Sequence, residues 1–256
     1  MTVFGHYAQY YDLLYRDKDY AGETEFVHRL LQRHAPGAKT IVELGCGTGV
    51  HAEHMSRMGY EVHGVDRSTE MLDRARSRLA NLSEKQAARL MFFQDDIRTV
   101  RLATKADAVI ALFHVMSYQA RNDDLNAAFA TARHHLAPGG ILVFDCWYGP
   151  AVLSERPVIR VKRLEDNEIN VTRIAEPVMR PNENLVDVNY HVIIRQKTSG
   201  NVEELREMHR MRYLFTPEIA MLLSSNHMEL VWSEEWITGR VPGIDTWGVC
   251  FVGRTR

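Results

Sequence analysis

The sequence predicts an α/β fold: a mostly parallel sheet flanked by helices, with an antiparallel β-sheet inserted late in the chain. Three observations carry that prediction. Between residues 24 and 146, short β-branched apolar runs alternate with segments of helical spacing, the pattern of βα units building a parallel sheet. A glycine-rich turn, Gly45-Cys46-Gly47-Thr48-Gly49, follows the first of those runs directly. After Pro150 the segments alternate apolar with polar or charged residues, as an antiparallel meander with one wet face does.

Element by element, strands are predicted at 40–44, 61–65, 90–94, 106–112 and 141–145. Helices fall between them at 69–79, where Met71, Leu72, Ala75 and Leu79 share a side, and at 123–136, where Leu125, Ala128, Phe129, Ala132 and Leu136 do. Pro138-Gly139-Gly140 ends the second helix and turns the chain into its strand. The meander is predicted at 158–164, 168–176, 185–196 and 203–215, with turn-formers such as Pro181-Asn182-Glu183-Asn184 and Ser199-Gly200-Asn201 between strands. Thr216-Pro217-Glu218 starts a helix, with Thr216 as a cap candidate and proline in the first turn. Two last strands, 229–236 and 246–252, rejoin the main sheet. Three regions follow: an N-terminal lid and core over 1–150, the insertion over 151–215, and a C-terminal segment over 216–256.

Composition bounds the function. The chain has 256 residues, 45% hydrophobic and 25% charged, the balance of a globular protein with a full core. Thirty-one basic against 33 acidic residues leave a formal charge of −2, so no global positive field draws the chain to nucleic acid or to anionic membrane. Cys46, Cys146 and Cys250 lie far apart with no CxxC pairing, which excludes a disulfide framework and points to a reducing compartment. No uncharged apolar run of about 18 residues occurs, and the N-terminus carries tyrosines where a signal peptide would be basic and then apolar. A cytoplasmic location is expected, with no membrane partner. His51 and His54 make an HxxH with no third ligand, so no metal centre is expected.

The chemistry is concentrated at strand ends. Alternate glycines after Ile41-Val42-Glu43-Leu44 let the backbone come close to a ligand. A glycine-rich turn after a strand also suits a dinucleotide, but Val50 stands where the last glycine of GxGxxG belongs, and Glu43 sets a carboxylate before the turn. That carboxylate repels pyrophosphate and welcomes a cation. Asp66 ends the next strand about 20 residues on, where a carboxylate accepts two hydrogen bonds from a ribose diol. In Gln94-Asp95-Asp96-Ile97, a carboxylate after a strand can accept from an adenine amine while a neighbouring amide reaches a ring nitrogen, and Asp96 is preferred to Asp95.

These residues resemble the class I S-adenosylmethionine-dependent methyltransferases. The matching segments are Glu43-Leu44-Gly45-Cys46-Gly47-Thr48-Gly49, Asp66, Asp95-Asp96-Ile97 and Leu136-Ala137-Pro138-Gly139-Gly140. The resemblance implies a Rossmann-like sheet, mostly parallel with an antiparallel last strand. It also implies S-adenosylmethionine across the strand ends, with Gly45, Cys46 and Gly47 beneath its methionyl part, Asp66 on the ribose, and Asp96 and Ile97 at the adenine. Arg67, Met71 and Leu112 complete the implied cofactor contacts.

A narrower likeness covers the whole chain. Tyr10-Tyr11-Asp12-Leu13-Leu14-Tyr15, Leu112-Phe113, Asp145-Cys146-Trp147-Tyr148 and the meander ending in Arg212-Tyr213 look like the sugar N,N-dimethyltransferases of macrolide biosynthesis. This implies a small-molecule acceptor, the amine of an amino sugar or nucleotide-linked sugar, and an insertion that helps form the substrate pocket and, in some members, a homodimer. Tyr11 or Tyr15 would reach the cofactor carboxylate. The histidine that the sugar enzymes carry after the fourth strand falls here on Tyr118, with His114 standing earlier, and their arginine near the last strand is replaced around Trp247.

An amine is mostly protonated at neutral pH, so the site needs a proton acceptor. His114, at the carboxyl edge of the sheet, is the first candidate, and Tyr118 the second. Trp147, Tyr148 and Arg212 are candidate substrate residues. Competing readings are a small-molecule O-methyltransferase, an RNA or protein methyltransferase, and a non-catalytic S-adenosylmethionine binder; the near-neutral charge and the lack of an Asn/Asp-Pro-Pro-Tyr clamp disfavour a nucleic-acid substrate.

Overall fold

The computed structural model describes residues 13–256; the expectation for Tyr11 lies outside the described residues. In chain order, α1 (Tyr20–His34), β1 (Thr40–Leu44), α2 (Val50–Arg57), β2 (Glu61–Asp66), α3 (Thr69–Arg78), α4 (Glu84–Ala87) and β3 (Leu90–Gln94) come first. Then follow β4 (Ala106–Ala111), α5 (Asn122–His135), β5 (Leu136–Tyr148) and α6 (Gly149–Ser154). The insertion contributes β6 (Arg160–Glu165), β7 (Ile169–Arg180), β8 (Leu185–Gln196) and β9 (Val202–Leu214), before α7 (Thr216–Ser225), β10 (Met228–Glu235) and β11 (Gly248–Thr255).

The central strands are apolar on both faces, and each face finds its own cover. Val42, Val109, Leu142 and Phe144 pack with Leu125 and Phe129 of α5 and Ile219 and Leu223 of α7. Ile41, Ala108, Ile110 and Val143, offset by one residue, pack with Phe26, Val27, Leu30 and Leu31 of α1 and Met55 of α2. Helix starts follow local chemistry: Asp19 accepts from the Gly22 amide at α1, and Ser68 accepts from the Met71 amide at α3.

β1 to β5 pair in parallel, in the order β3-β2-β1-β4-β5, and β11 pairs antiparallel with β5. The insertion does not form a separate sheet. β4 leaves its edge of β5 at Ala111↔Phe144, and β9 takes up that edge through Trp147↔Tyr213 and Tyr148↔Leu214. Asp145 and Cys146 lie in the gap between the two. One continuous path of strands therefore carries both the parallel core and the meander.

Some boundaries shift. β5 begins at Leu136, paired with Ala106, so Pro138-Gly139-Gly140 lies within an irregular start of the strand, with Gly139 at φ 76°. β7 runs on to Arg180 because its ladder with β8 continues to Arg180↔Leu185. Thr216 does not cap α7; Phe215 is its N-cap, and the Thr216 hydroxyl is bound to Tyr148 Oη at 3.2 Å.

Candidate active site

The glycine turn is built by torsion and by close approach. Gly45 and Gly47 have φ of 75° and 53°, values that favour glycine. A Cβ on Gly45 would also lie 2.5 Å from a Val115 methyl, whereas one on Gly47 would meet nothing within 4 Å. The Asp66 carboxylate holds the turn against β2, accepting from the Gly47 amide and from the Ser68 amide, each at 2.9 Å. Burial pushes its pKa above the ordinary value, partly offset by those two amides.

Glu43 lies on β1 just before the turn and is buried; its Oε2 has no hydrogen-bond partner. Burial, reinforced by the charge of Asp66, pushes its pKa up to about 8. Nearby, His51 Nε2 meets Glu23 Oε2 at 2.8 Å, Lys18 pairs with the same carboxylate, and Trp236 Nε1 donates to Glu23 Oε1 at 3.3 Å. Burial alone would raise the Glu23 pKa, but the His51 and Lys18 contacts outweigh it and hold it at about 2. Lys18 also sits over the Tyr20 and Phe113 rings, 4.3 and 4.5 Å from their centroids. Among the described residues no group of three or more His, Cys, Asp or Glu side chains is arranged to hold a metal.

The glycine turn, Asp66, His51 and Tyr20 open onto one cavity of roughly 610 Å³ at the carboxyl ends of the parallel strands. Tyr15, Gly45, Cys46, Gly47, Asp66, Arg67 and Met71 line it, as do Asp96, Ile97 and Leu112. Every expected cofactor residue among those described is therefore brought to the same space. On the β3 side, both Asp96 oxygens are clamped by Arg98, at 2.9 and 2.5 Å, and Arg98 reaches Asp124 at 2.8 Å. The Arg98 amide adds a third bond to Asp96 Oδ1 at 2.9 Å, which leaves Oδ2 able to accept once more. The residues present fit a cationic adenosyl ligand: a glycine cradle open at Gly47, carboxylates at two successive strand ends, and just before the cradle the buried Glu43, whose Oε1 lies 4.0 Å from His51 Nδ1 and whose Oε2 has no hydrogen-bond partner.

His114 stands where the strand edge is open. Phe113 and His114 both take left-handed torsions, φ 64° and 63°, which tightens the chain just after β4. The His114 amide donates to both oxygens of Asp145, at 3.2 and 3.1 Å. His114 Nδ1 lies 2.6 Å from Asp145 Oδ2, off the axis that a ring N–H bond needs, so the pair is a close electrostatic contact. Asp145 is buried, while the His114 side chain is 26% exposed to the cavity. Tyr118 also lines the cavity, and its Oη lies 2.8 Å from His209 Nδ1. Burial, with Tyr15, Tyr190 and Glu207 around it, pushes the Tyr118 pKa well up, so it is a phenol at neutral pH.

Strand parity decides the expected substrate residues. Trp147 lines the cavity; Tyr148, the next residue, does not, and instead packs against Phe251 and bonds Thr216. Met211 lines the cavity, whereas Arg212 is buried away from it and ion-paired with Glu218. Tyr148 and Arg212 are thus not brought to the cavity. The insertion supplies Arg160, Arg173, Tyr190 and Met211 to the cavity instead. His51 lines it too, while His54 does not.

A methyltransferase domain model matches residues 41–140. The dTDP-3-amino-3,4,6-trideoxy-alpha-D-glucopyranose N,N-dimethyltransferase of Streptomyces venezuelae is 31% identical over 73% of this chain and 76% of its own length. The chain belongs to the S-adenosylmethionine-dependent methyltransferases. Within that family, the dTDP-3-amino-3,6-dideoxy-alpha-D-glucopyranose N,N-dimethyltransferase of Streptomyces fradiae is 27% identical over 84% of this chain and 80% of that one. The crystal structure of Streptomyces venezuelae DesVI superposes with a TM-score of 0.80 at 26% identity, over 98% of each chain. The S-adenosylmethionine-bound amino pentose methyltransferase CalS10 of Micromonospora echinaspora shares the fold, with a TM-score of 0.74 at 23% identity over 94% of this chain and 93% of its own. For this methyltransferase a small-molecule acceptor accords with the group it resembles, and no helix among the described residues is long and apolar enough to cross a membrane.

Proposed function

We propose that this methyltransferase methylates the amine of an amino sugar carried on a nucleotide, with His114 as the proton acceptor. The observation that carries the reading is His114 in the cavity wall, backed by the buried Asp145, in a chain whose curated relatives are named for amine methylation of dTDP-linked sugars. S-adenosylmethionine, when bound, supplies an electrophilic methyl group on a cationic sulfur.

The chain's own residues supply the rest. Asp66, whose oxygens fix the glycine turn, would hold the ribose hydroxyls, and Asp96 and Ile97 would meet the adenine. Glu43, protonated at neutral pH in the cofactor-free protein, would ionise to balance a bound cation. Tyr15 and Phe113, edge-on at 5.0 Å, wall the reacting centre from water and present ring faces to a cation. His114 Nε2 takes the ammonium proton of the acceptor, leaving a lone pair free for in-line attack. Asp145 holds the imidazole in place and stabilises the imidazolium that forms.

Homodimerisation through the insertion would use its opposite face, where Val161, Val178 and Met208 are exposed; a monomeric mass in light scattering would exclude it. The functional test is mass spectrometry of a dTDP-linked amino sugar after incubation with S-adenosylmethionine. The expected result is a mass gain of one or two methyl groups on the amine, and unmodified sugar across a panel of amine positions would overturn the proposal.

A further inference from the structure

The β-meander presents a cationic pair to the cavity. β6 pairs with β7 through Arg160↔Ala175 and Lys162↔Arg173, and directly opposed residues share a face, as do residues two apart. Arg160 and Arg173 are therefore diagonal neighbours on one face. β8 continues that face at Tyr190, opposite Ala175, and β9 at Glu207, opposite Tyr190. Both arginines and Tyr190 line the cavity. The Arg173 guanidinium lies over the Tyr190 ring, 4.8 Å from its centroid, which orients a planar fork. Glu207, the acidic residue on that face, has its carboxylate 3.5 Å from His209 Nε2.

Arg98, also in the cavity wall, spans Asp96 and Asp124. Trp247 packs edge-on against the cavity residue Trp147, with ring centroids 6.0 Å apart. Its indole donates to Glu155 Oε2 at 2.8 Å, which sets a carboxylate beside the position where the sugar enzymes have arginine. An anionic substrate group is thus repelled by Glu155 and by the carboxylates of the strand ends, and attracted to the arginines of the meander.

We infer that Arg160 and Arg173 form the diphosphate subsite of the acceptor, placing anion recognition on the first two strands of the insertion. Paired guanidinium forks match adjacent phosphate oxygens and make charge-assisted hydrogen bonds. Tyr190 sets the orientation of the Arg173 fork. This inference rests on the proposed nucleotide-linked acceptor and names the residues that select it.

The experiment compares wild type with Arg160→Ala, Arg173→Ala and Arg173→Lys. With a dTDP-linked amino sugar, each alanine variant is expected to raise KM by about tenfold or more while kcat falls by less than about threefold, because the lost contact is made equally in ground and transition states. Arg173→Lys should recover part of the loss. Titration calorimetry with thymidine diphosphate as probe should show binding to wild type and at least about tenfold weaker binding to the alanine variants, with S-adenosylmethionine affinity unchanged. Unchanged KM in both alanine variants, with wild-type turnover intact, overturns the subsite and leaves the proposed function standing. If wild type methylates no nucleotide-linked amine, the proposed function fails, and the thymidine diphosphate titration still decides: equal affinity in wild type and variants overturns the subsite, and lost affinity supports it. Arg160 is exposed, so its variant tests the subsite even if Arg173→Ala unfolds the meander.

Discussion

Asp145 and His114 meet where β5 has no strand partner on one edge: β4 has ended at Ala111, β9 begins pairing at Tyr213, and the Asp145 carboxylate takes the His114 amide in the gap. One buried carboxylate thereby sets both the backbone and the ring of the proposed base. Ser117 Oγ closes the same edge by accepting from the Trp147 amide at 3.0 Å.

His114→Ala should lower kcat by about 100-fold and leave the S-adenosylmethionine dissociation constant within about twofold. Asp145→Asn keeps an oxygen for the His114 amide and loses the charge beside the ring, so kcat should fall by about tenfold with the fold intact. Single-turnover kinetics with calorimetric cofactor titration check both; a wild-type rate in His114→Ala would move the proton acceptor elsewhere.

Asp66→Ala removes a proposed ribose contact and the anchor of the Gly47 amide together. Cofactor affinity should fall by about 100-fold or more. Asp66→Asn, which can still accept from one amide, should lose less. Equal affinities for wild type and Asp66→Ala in equilibrium dialysis would exclude the ribose role.

Glu43 makes the cofactor-free protein lose stability as pH rises from the ordinary carboxylate range to about 8. Its pKa of about 8 in the fold lies above the ordinary 4.5, so the stability tied to its proton is fully present below about pH 4.5 and is lost as pH rises through 8. Glu43→Gln carries no such proton and should flatten the fall in Tm between about pH 4.5 and pH 8. Saturating S-adenosylmethionine should flatten it in wild type as well. A Glu43→Gln melting profile parallel to wild type over that range would refute the assignment.

Tyr118 remains a phenol through neutral pH and so contributes a hydrogen bond, with His209 fixing its hydroxyl. Tyr118→Phe should cost less than about tenfold in kcat, and adding His209→Ala should cost little more, since both remove one interaction. Additive losses in the double variant would show that the two act separately.

The donor half of the site was legible because its signals are local. Gly45, Gly47, Asp66, Asp96 and Ile97 sit directly after strands whose composition marks them, and strand ends of a parallel sheet converge on one edge. Asp145, Asp124, Glu23 and His209 were missed as site residues because their partners are distant in the chain: Asp145 acts on His114, 31 residues away, and His209 on Tyr118, 91 away. Tyr148 and Arg212 failed for a different reason. Each is one residue from a true cavity residue, Trp147 and Met211, and a strand turns neighbouring side chains to opposite faces. The texture of the meander fixed the strands and left the register unspecified until the ladders were known.

The docking of β9 onto β5 has an evolutionary corollary. Methyl supply and acceptor choice share a single backbone spine but draw on different side chains, so inward positions of the hairpins can drift to admit new acceptors while the nucleoside end keeps its chemistry. A lineage built on this plan can diversify its products by editing alternate residues of four strands.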